Sequence, residues 1–122
     1  MKYGTVLIST PEATLCRIAG VQLARFYNVP SHTIGPDSDA HLHDEQNGWE
    51  KITSTLNGLG AGVDLLVNAG MFDTGLTVSL EQLVIDNEIV GWVRRYLEGI
   101  EVTEETIAVD TIDKVGPKGN FL

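Results

Sequence analysis

The sequence has a single cysteine, Cys16, no long apolar run and little positive charge. One cysteine excludes an internal disulfide, and a structural zinc site draws on several Cys or His donors, so no metal is expected. Cys16 sits among helix-forming neighbours and should act as a small hydrophobe on a helix face. Nothing approaches the roughly 20 apolar residues of a membrane-spanning helix. Met1-Lys2-Tyr3-Gly4 is too short and polar to open a secretory signal. The expectation is a reducing, cytoplasmic setting with no membrane partner. Lys and Arg total 8 against 17 Asp and Glu, a formal charge of −9. That field repels phosphate backbones, so nucleic acid is not an expected partner. Catalytic signatures are missing too. Gly58-Leu59-Gly60-Ala61-Gly62 precedes a strand pattern instead of joining strand to helix, so it fails as a dinucleotide fingerprint. There is no phosphate-loop lysine and no Gly-x-Ser-x-Gly elbow.

What is present is an alternation of short β-forming runs and helical patterns. Thr5-Val6-Leu7-Ile8-Ser9 reads as a buried strand. Thr10-Pro11-Glu12 opens a helix with a cap, a proline in its first turn and an acid at its positive end. Leu15, Ile18, Ala19, Leu23 and Phe26 recur at helical spacing and predict its core-facing stripe. Residues 29–34 read as a second strand. A helix over about residues 44–59 follows, with Trp49, Ile52, Leu56 and Leu59 as its apolar positions. Residues 63–68 read as a third strand. Ser79 caps a long helix, with Gln82 three residues on as in a capping box. Leu80, Leu83, Val84, Val90, Val93 and Leu97 supply its buried face, and Asp86-Asn87-Glu88 is a polar patch expected to face water. A last helix runs from Thr103 to about Val115. The order predicts an α/β fold with a parallel sheet. Three strands leave both sheet faces incompletely covered. The chain is then either a small α/β binding module that dimerises through its edges, or a slice of a larger barrel.

In parallel α/β folds, functional groups sit at the carboxyl ends of strands. That rule selects residues 9–12, 35–46 and 68–77. The middle loop, with Asp37, Asp39, His41, His43, Asp44 and Glu45, is the richest; a solvated polar loop is the plainer reading, and a complete metal-ligand set is not visible. His32, inside a strand, reads as a packed residue. Glu12 is an acid–base or cation-contact candidate, or a carboxylate answering the helix dipole. Asn68 either points its amide into a pocket or closes a turn. Met71 and Phe72 either wall a pocket for an alkylated amine or pack beneath the loop.

Longer motifs carry a resemblance. They are Thr10-Pro11-Glu12-Ala13, then Gln22-Leu23-Ala24-Arg25-Phe26-Tyr27-Asn28-Val29-Pro30, and Asp37-Ser38-Asp39-Ala40 followed by Asp44-Glu45-Gln46-Asn47-Gly48-Trp49-Glu50-Lys51. The longest runs through Asn68-Ala69-Gly70-Met71 and residues 75–89, and the tail is Gly116-Pro117-Lys118-Gly119-Asn120-Phe121-Leu122. In this order they resemble the trimethylamine methyltransferase family, whose members are much longer and look like (β/α)8 barrels. The resemblance implies that residues 1–122 are one α/β segment, a partial TIM barrel of roughly three βα units from its later part. It implies methyl transfer from a methylated amine, of the trimethylamine or glycine betaine type, to a corrinoid carried by a separate protein. Only standard residues are present, whereas trimethylamine-specific members use pyrrolysine, so the resemblance favours a quaternary amine. No cofactor would be bound directly. Glu12, Asp37, Asp39, His41, Asn68, Met71 and Phe72 would contact substrate or the corrinoid partner, with no catalytic acid or base assigned. An isolated slice would be inactive and would bury its open edges by forming a homo-oligomer.

Overall fold

A computed structural model describes residues 6–121. Thr5 of the first expected strand, the Met1 to Gly4 start and Leu122 of the tail lie outside the described residues. Helix α1 spans Pro11–Phe26; Thr10 caps it by accepting from the Ala13 N–H, with Pro11 and Glu12 in the first turn. Strand β1 is His32–Ile34. Helix α2 spans Glu45–Ala61, capped by the Asp44 side chain on the Asn47 N–H and closed by Gly62 at φ 78°. Strand β2, Leu65–Val67, pairs parallel with β1 in the register His32↔Leu65 and Ile34↔Val67. Helix α2 is therefore the crossover of a βαβ unit. Gly58 lies where α2 presses closest on these strands: an added Cβ would come within 3.0 Å of the Thr33 and Leu66 side chains.

A short antiparallel hairpin follows, β3 Met71–Phe72 with β4 Thr77–Val78, inside the stretch expected as a plain exit loop. Helix α3 spans Leu80–Glu98 from its Ser79 cap. The expected last helix is two, α4 Glu104–Ile107 and α5 Val109–Val115, broken at Ala108 with φ 55°. The first expected strand does not form over residues 6–9. There the Ile8 and Ser9 N–H groups donate to the Asp39 carboxylate at 2.9 and 2.8 Å, not to a neighbouring strand. The α/β class stands, with a two-stranded parallel sheet among the described residues.

Helix α2 packs against α1 on one side and α3 on the other, and of the predicted stripes only Val93 is fully buried. In α1 the buried residues are Thr14 and Val21, while Leu15, Leu23 and Phe26 are exposed and Cys16 faces out with them. In α2 the inward face is Asn47, Glu50, Lys51, Ser54, Thr55 and Gly58; Trp49 and Ile52 point outward. In α3 it is Gln82, Asp86, Ile89 and Val93, while Leu80, Leu83, Val84 and Leu97 are exposed. Asp86, expected in water, is fully buried. His32 is exposed. The physical reason is a hydrogen-bonded polar interior. Its members satisfy one another tightly enough to occupy the helix interfaces, leaving apolar stripes free on the outside.

Candidate functional site

The three loops chosen by the strand-end rule do converge. The Asp39 carboxylate takes the Ile8 and Ser9 N–H groups, tying residues 8–9 to the middle loop. The Asp73 N–H donates to the Ala40 carbonyl and the Thr74 N–H to the Ser38 carbonyl, tying the hairpin to the same loop. His41 Nδ1 pairs with the Asp73 carboxylate, which also accepts from the Thr77 hydroxyl at 3.1 Å.

Helix α2 holds the middle loop from beneath. Glu50 Oε2 accepts from the Ser38 hydroxyl at 2.7 Å and the Asp39 N–H at 2.8 Å, while Oε1 accepts from Gln46. The next residue, Lys51, is fully buried and its ammonium donates to Asp86 Oδ2 at 3.0 Å, the Met71 carbonyl at 2.6 Å and the Pro36 carbonyl at 3.4 Å. Burial lowers the Lys51 pKa, opposed by Asp86. Asp86 in turn accepts from the Gly70 N–H at 2.6 Å and from Gln82 Nε2 at 2.8 Å. Gln82 Oε1 meets His43 Nδ1 at 2.6 Å, and the His43 ring lies tilted against Phe72 with centroids 4.7 Å apart.

Asp37 stands apart. Its side chain is fully buried, Oδ1 accepts from the Ser38 N–H at 2.9 Å, and buried Oδ2 has no hydrogen-bond partner. Burial raises its pKa from 3.8 to about 6, against the Ser38 hydrogen bond and the charges of Arg17 and Lys51. Arg17, whose Nη1 is also buried without a partner, has its pKa lowered by burial and supported by Asp37 and Asp39.

The seven candidate residues are thus distributed unequally. Asp37, Asp39 and Phe72 are built into the loop frame, and Met71 contributes its carbonyl to Lys51. Asn68 has φ 80° and its carbonyl accepts from the Met71 N–H, the geometry of a closed turn. His41 is 81% exposed at its side chain, and Glu12 is exposed on the first turn of α1. His41 and His43 turn to different partners, and among the described residues no group of three or more His, Cys, Asp or Glu is placed to hold a metal. Lys51, Gln82 and Asp86 were not among the expected site residues, and His43 was named only as a member of the polar middle loop. The one available signal was a lysine and an aspartate on the inward arcs of two adjacent helices, in conflict with the apolar stripes.

Chemically the cluster is an acidic frame whose backbone is clamped by carboxylates, with imidazoles at its edge. It suits a cationic ligand better than an anionic one. Among the described residues no helix is long and apolar enough to cross a membrane.

The comparison with known proteins covers the whole chain. A family model, trimethylamine methyltransferase (MTTB), matches residues 1–122. The trimethylamine methyltransferase MttB of Methanosarcina thermophila is 46% identical over 122 residues, all of this chain and 25% of that protein. The Desulfitobacterium hafniense trimethylamine methyltransferase MttB is 37% identical over 123 residues, again all of this chain and 25% of its own length. A glycine betaine methyltransferase of Desulfitobacterium hafniense (strain Y51) is 37% identical over 123 residues, with 26% of its length covered. The chain spans about a quarter of the length of the relatives it matches.

Proposed function

The chain belongs to the trimethylamine methyltransferase family, and on that premise we propose that it is a partial (β/α)8 barrel segment of a methyltransferase acting on a methylated or quaternary amine. The observation that carries this reading is the convergence of residues 8–9 with the two loops that leave the parallel strands β1 and β2 into one acidic frame. A methylated ammonium is held by carboxylate charge and aromatic faces, and this cluster supplies both kinds of group. Glu12 and His41 face the ligand or partner from the exposed rim. Asp37 contributes negative charge from below, Phe72 an aromatic edge, and Asp39, Asn68 and Met71 set the backbone shape.

In the transfer, the C–N bond breaks and the amine leaves with the electron pair. A corrinoid carried by a separate partner protein would supply the nucleophile that bonds to the methyl carbon as the C–N bond breaks. The residues here suit docking: His41 and Leu42 stand in solvent at the loop rim. The chain's task is to hold the amine, aim one methyl outward and exclude water. The setting is proposed to be cytoplasmic.

A second reading, a non-catalytic α/β module that associates through open faces, draws on the exposed Leu15, Leu23, Phe26, Trp92 and Tyr96. Titration of the labelled chain with glycine betaine and with trimethylammonium separates the two. Chemical-shift changes confined to residues 9–12, 35–46 and 68–77 are expected for the methyltransferase reading. A defined oligomer in sedimentation, with no response to either amine, would sink it in favour of the module.

A further inference from the structure

The buried Lys51–Asp86 pair does more than anchor α2 to α3. Asp86 Oδ1 accepts from Gln82 Nε2, which fixes which end of the Gln82 amide faces which way. Gln82 Oε1 is then the atom presented to His43 Nδ1 at 2.6 Å. A carbonyl oxygen only accepts, so His43 Nδ1 must carry the hydrogen. In the neutral ring, Nε2 is left with its lone pair free. Phe72 against the ring limits its rotation. His43 is an exposed residue, and its contacts to Gln82 and Phe72 engage Nδ1 and the ring face. Carboxylates near the ring are Asp44, next in the chain, and Glu81, on the first turn of α3 and one residue before Gln82. The Glu81 carboxyl is held below the usual range chiefly by its own backbone N–H and by the Ser79 side chain, with His43 contributing.

We infer that His43 is a specificity-determining residue of the proposed amine site: its Nε2 is held as a hydrogen-bond acceptor and selects an ammonium that carries an N–H over a fully alkylated one. The inference rests on the amine reading and runs against the quaternary preference that the family resemblance implied. A protonated tertiary amine donates its single N–H to Nε2 while its charge is met by Glu81. A quaternary ammonium has no hydrogen to donate and leaves the acceptor unmatched, a loss that discriminates more strongly than an extra methyl does. Lys51, Asp86 and Gln82 are positioning residues in this scheme, because they act through His43.

The test is nitrogen NMR of the chain at about pH 8, above the ordinary histidine range. Long-range proton–nitrogen correlations of His43 should show the Nδ1–H tautomer. Trimethylammonium should shift its Nε2 resonance at concentrations about tenfold lower than tetramethylammonium does. Gln82→Leu should lose the tautomer preference and the discrimination together, with circular dichroism checking that the variant is folded. An Nε2–H tautomer in the unmodified chain overturns the inference whatever the variant does. Binding of both cations, seen only at residues other than His43, overturns it and leaves the amine reading standing. No response to either cation overturns it and counts against the amine reading as well.

Discussion

The interior between α2 and α3 and the segment after α3 are built on opposite terms. In the first, Lys51, Thr55, Gln82 and Asp86 are fully buried and three of them form one hydrogen-bonded network. In the second, no residue from 101 to 121 is buried, although Val102, Ile107, Val109 and Ile112 are all half exposed or more. Polar groups sit inside where the Lys51–Asp86–Gln82 network pairs them, although Thr55 Oγ1 has no partner there, and the apolar groups of the second region sit outside. Side-chain polarity alone therefore does not decide burial in this chain. Between α2 and α3 the paired network of Lys51, Asp86 and Gln82 sets the pattern instead.

The comparison breaks first at Lys51. Lys51→Met removes the ammonium and leaves the Asp86 carboxylate buried with only the Gly70 and Gln82 donors. Removing one partner of a buried pair costs about 3–5 kcal/mol. Urea unfolding should show that loss, and the double variant Lys51→Met with Asp86→Leu should recover part of it. A loss under about 1 kcal/mol would mean that the pair is hydrated in solution and that the polar interior is not its own support.

Asp37 sharpens the same contrast, because it is a buried carboxyl with one oxygen left unpaired. Its pKa is raised from 3.8 unfolded to about 6 folded, chiefly by burial. Between those values the folded chain keeps a proton that the unfolded chain releases. Stability from this group is therefore full below about pH 4 and falls as pH rises to about 6, by on the order of 2 kcal/mol. Asp37→Asn keeps an acceptor for the Ser38 N–H and carries no charge to bury. It should stabilise the chain by about 1–2 kcal/mol at pH 7, leave it unchanged near pH 4, and flatten the profile between. Equal effects at both pH values would show that the carboxyl is not desolvated.

Local signals were legible in sequence wherever a few neighbouring residues decide the outcome. Thr10 and Ser79 cap the helices they were expected to cap, and the glycine run ends α2. The Ser79 capping box is only half made, since the Gln82 side chain turns to Asp86 and His43 while the Ser79 N–H donates to the Gly70 carbonyl. That diversion is tertiary and has no local signature. Residues 6–9 carry strand-forming side chains, but the carboxylate that claims two of their N–H groups lies about thirty residues away in sequence. The helical stripes failed for a related reason. Periodicity identifies an apolar arc without saying whether a surface waits to cover it. The strand-end rule did better because it rests on backbone topology: the two loops that leave β1 and β2 meet, and residues 8–9 join them although residues 6–9 form no strand, but the rule could not rank Glu12 at the rim against Asp37 underneath.

The smallest effect belongs to the second region. Ile107 and Ile112 lie 50% and 55% exposed on α4 and α5, which have no buried residue. Replacing both with serine should change the unfolding free energy by less than about 0.5 kcal/mol, the usual range for surface positions. Self-association should respond instead, because these side chains join a larger set of uncovered apolar groups. Sedimentation of the double variant is expected to show a smaller average mass than the unmodified chain at equal concentration. A stability loss above about 1 kcal/mol without a change in mass would reverse the contrast. It would place the segment against the rest of the same chain, so that its apolar side chains would no longer be waiting for an outside surface.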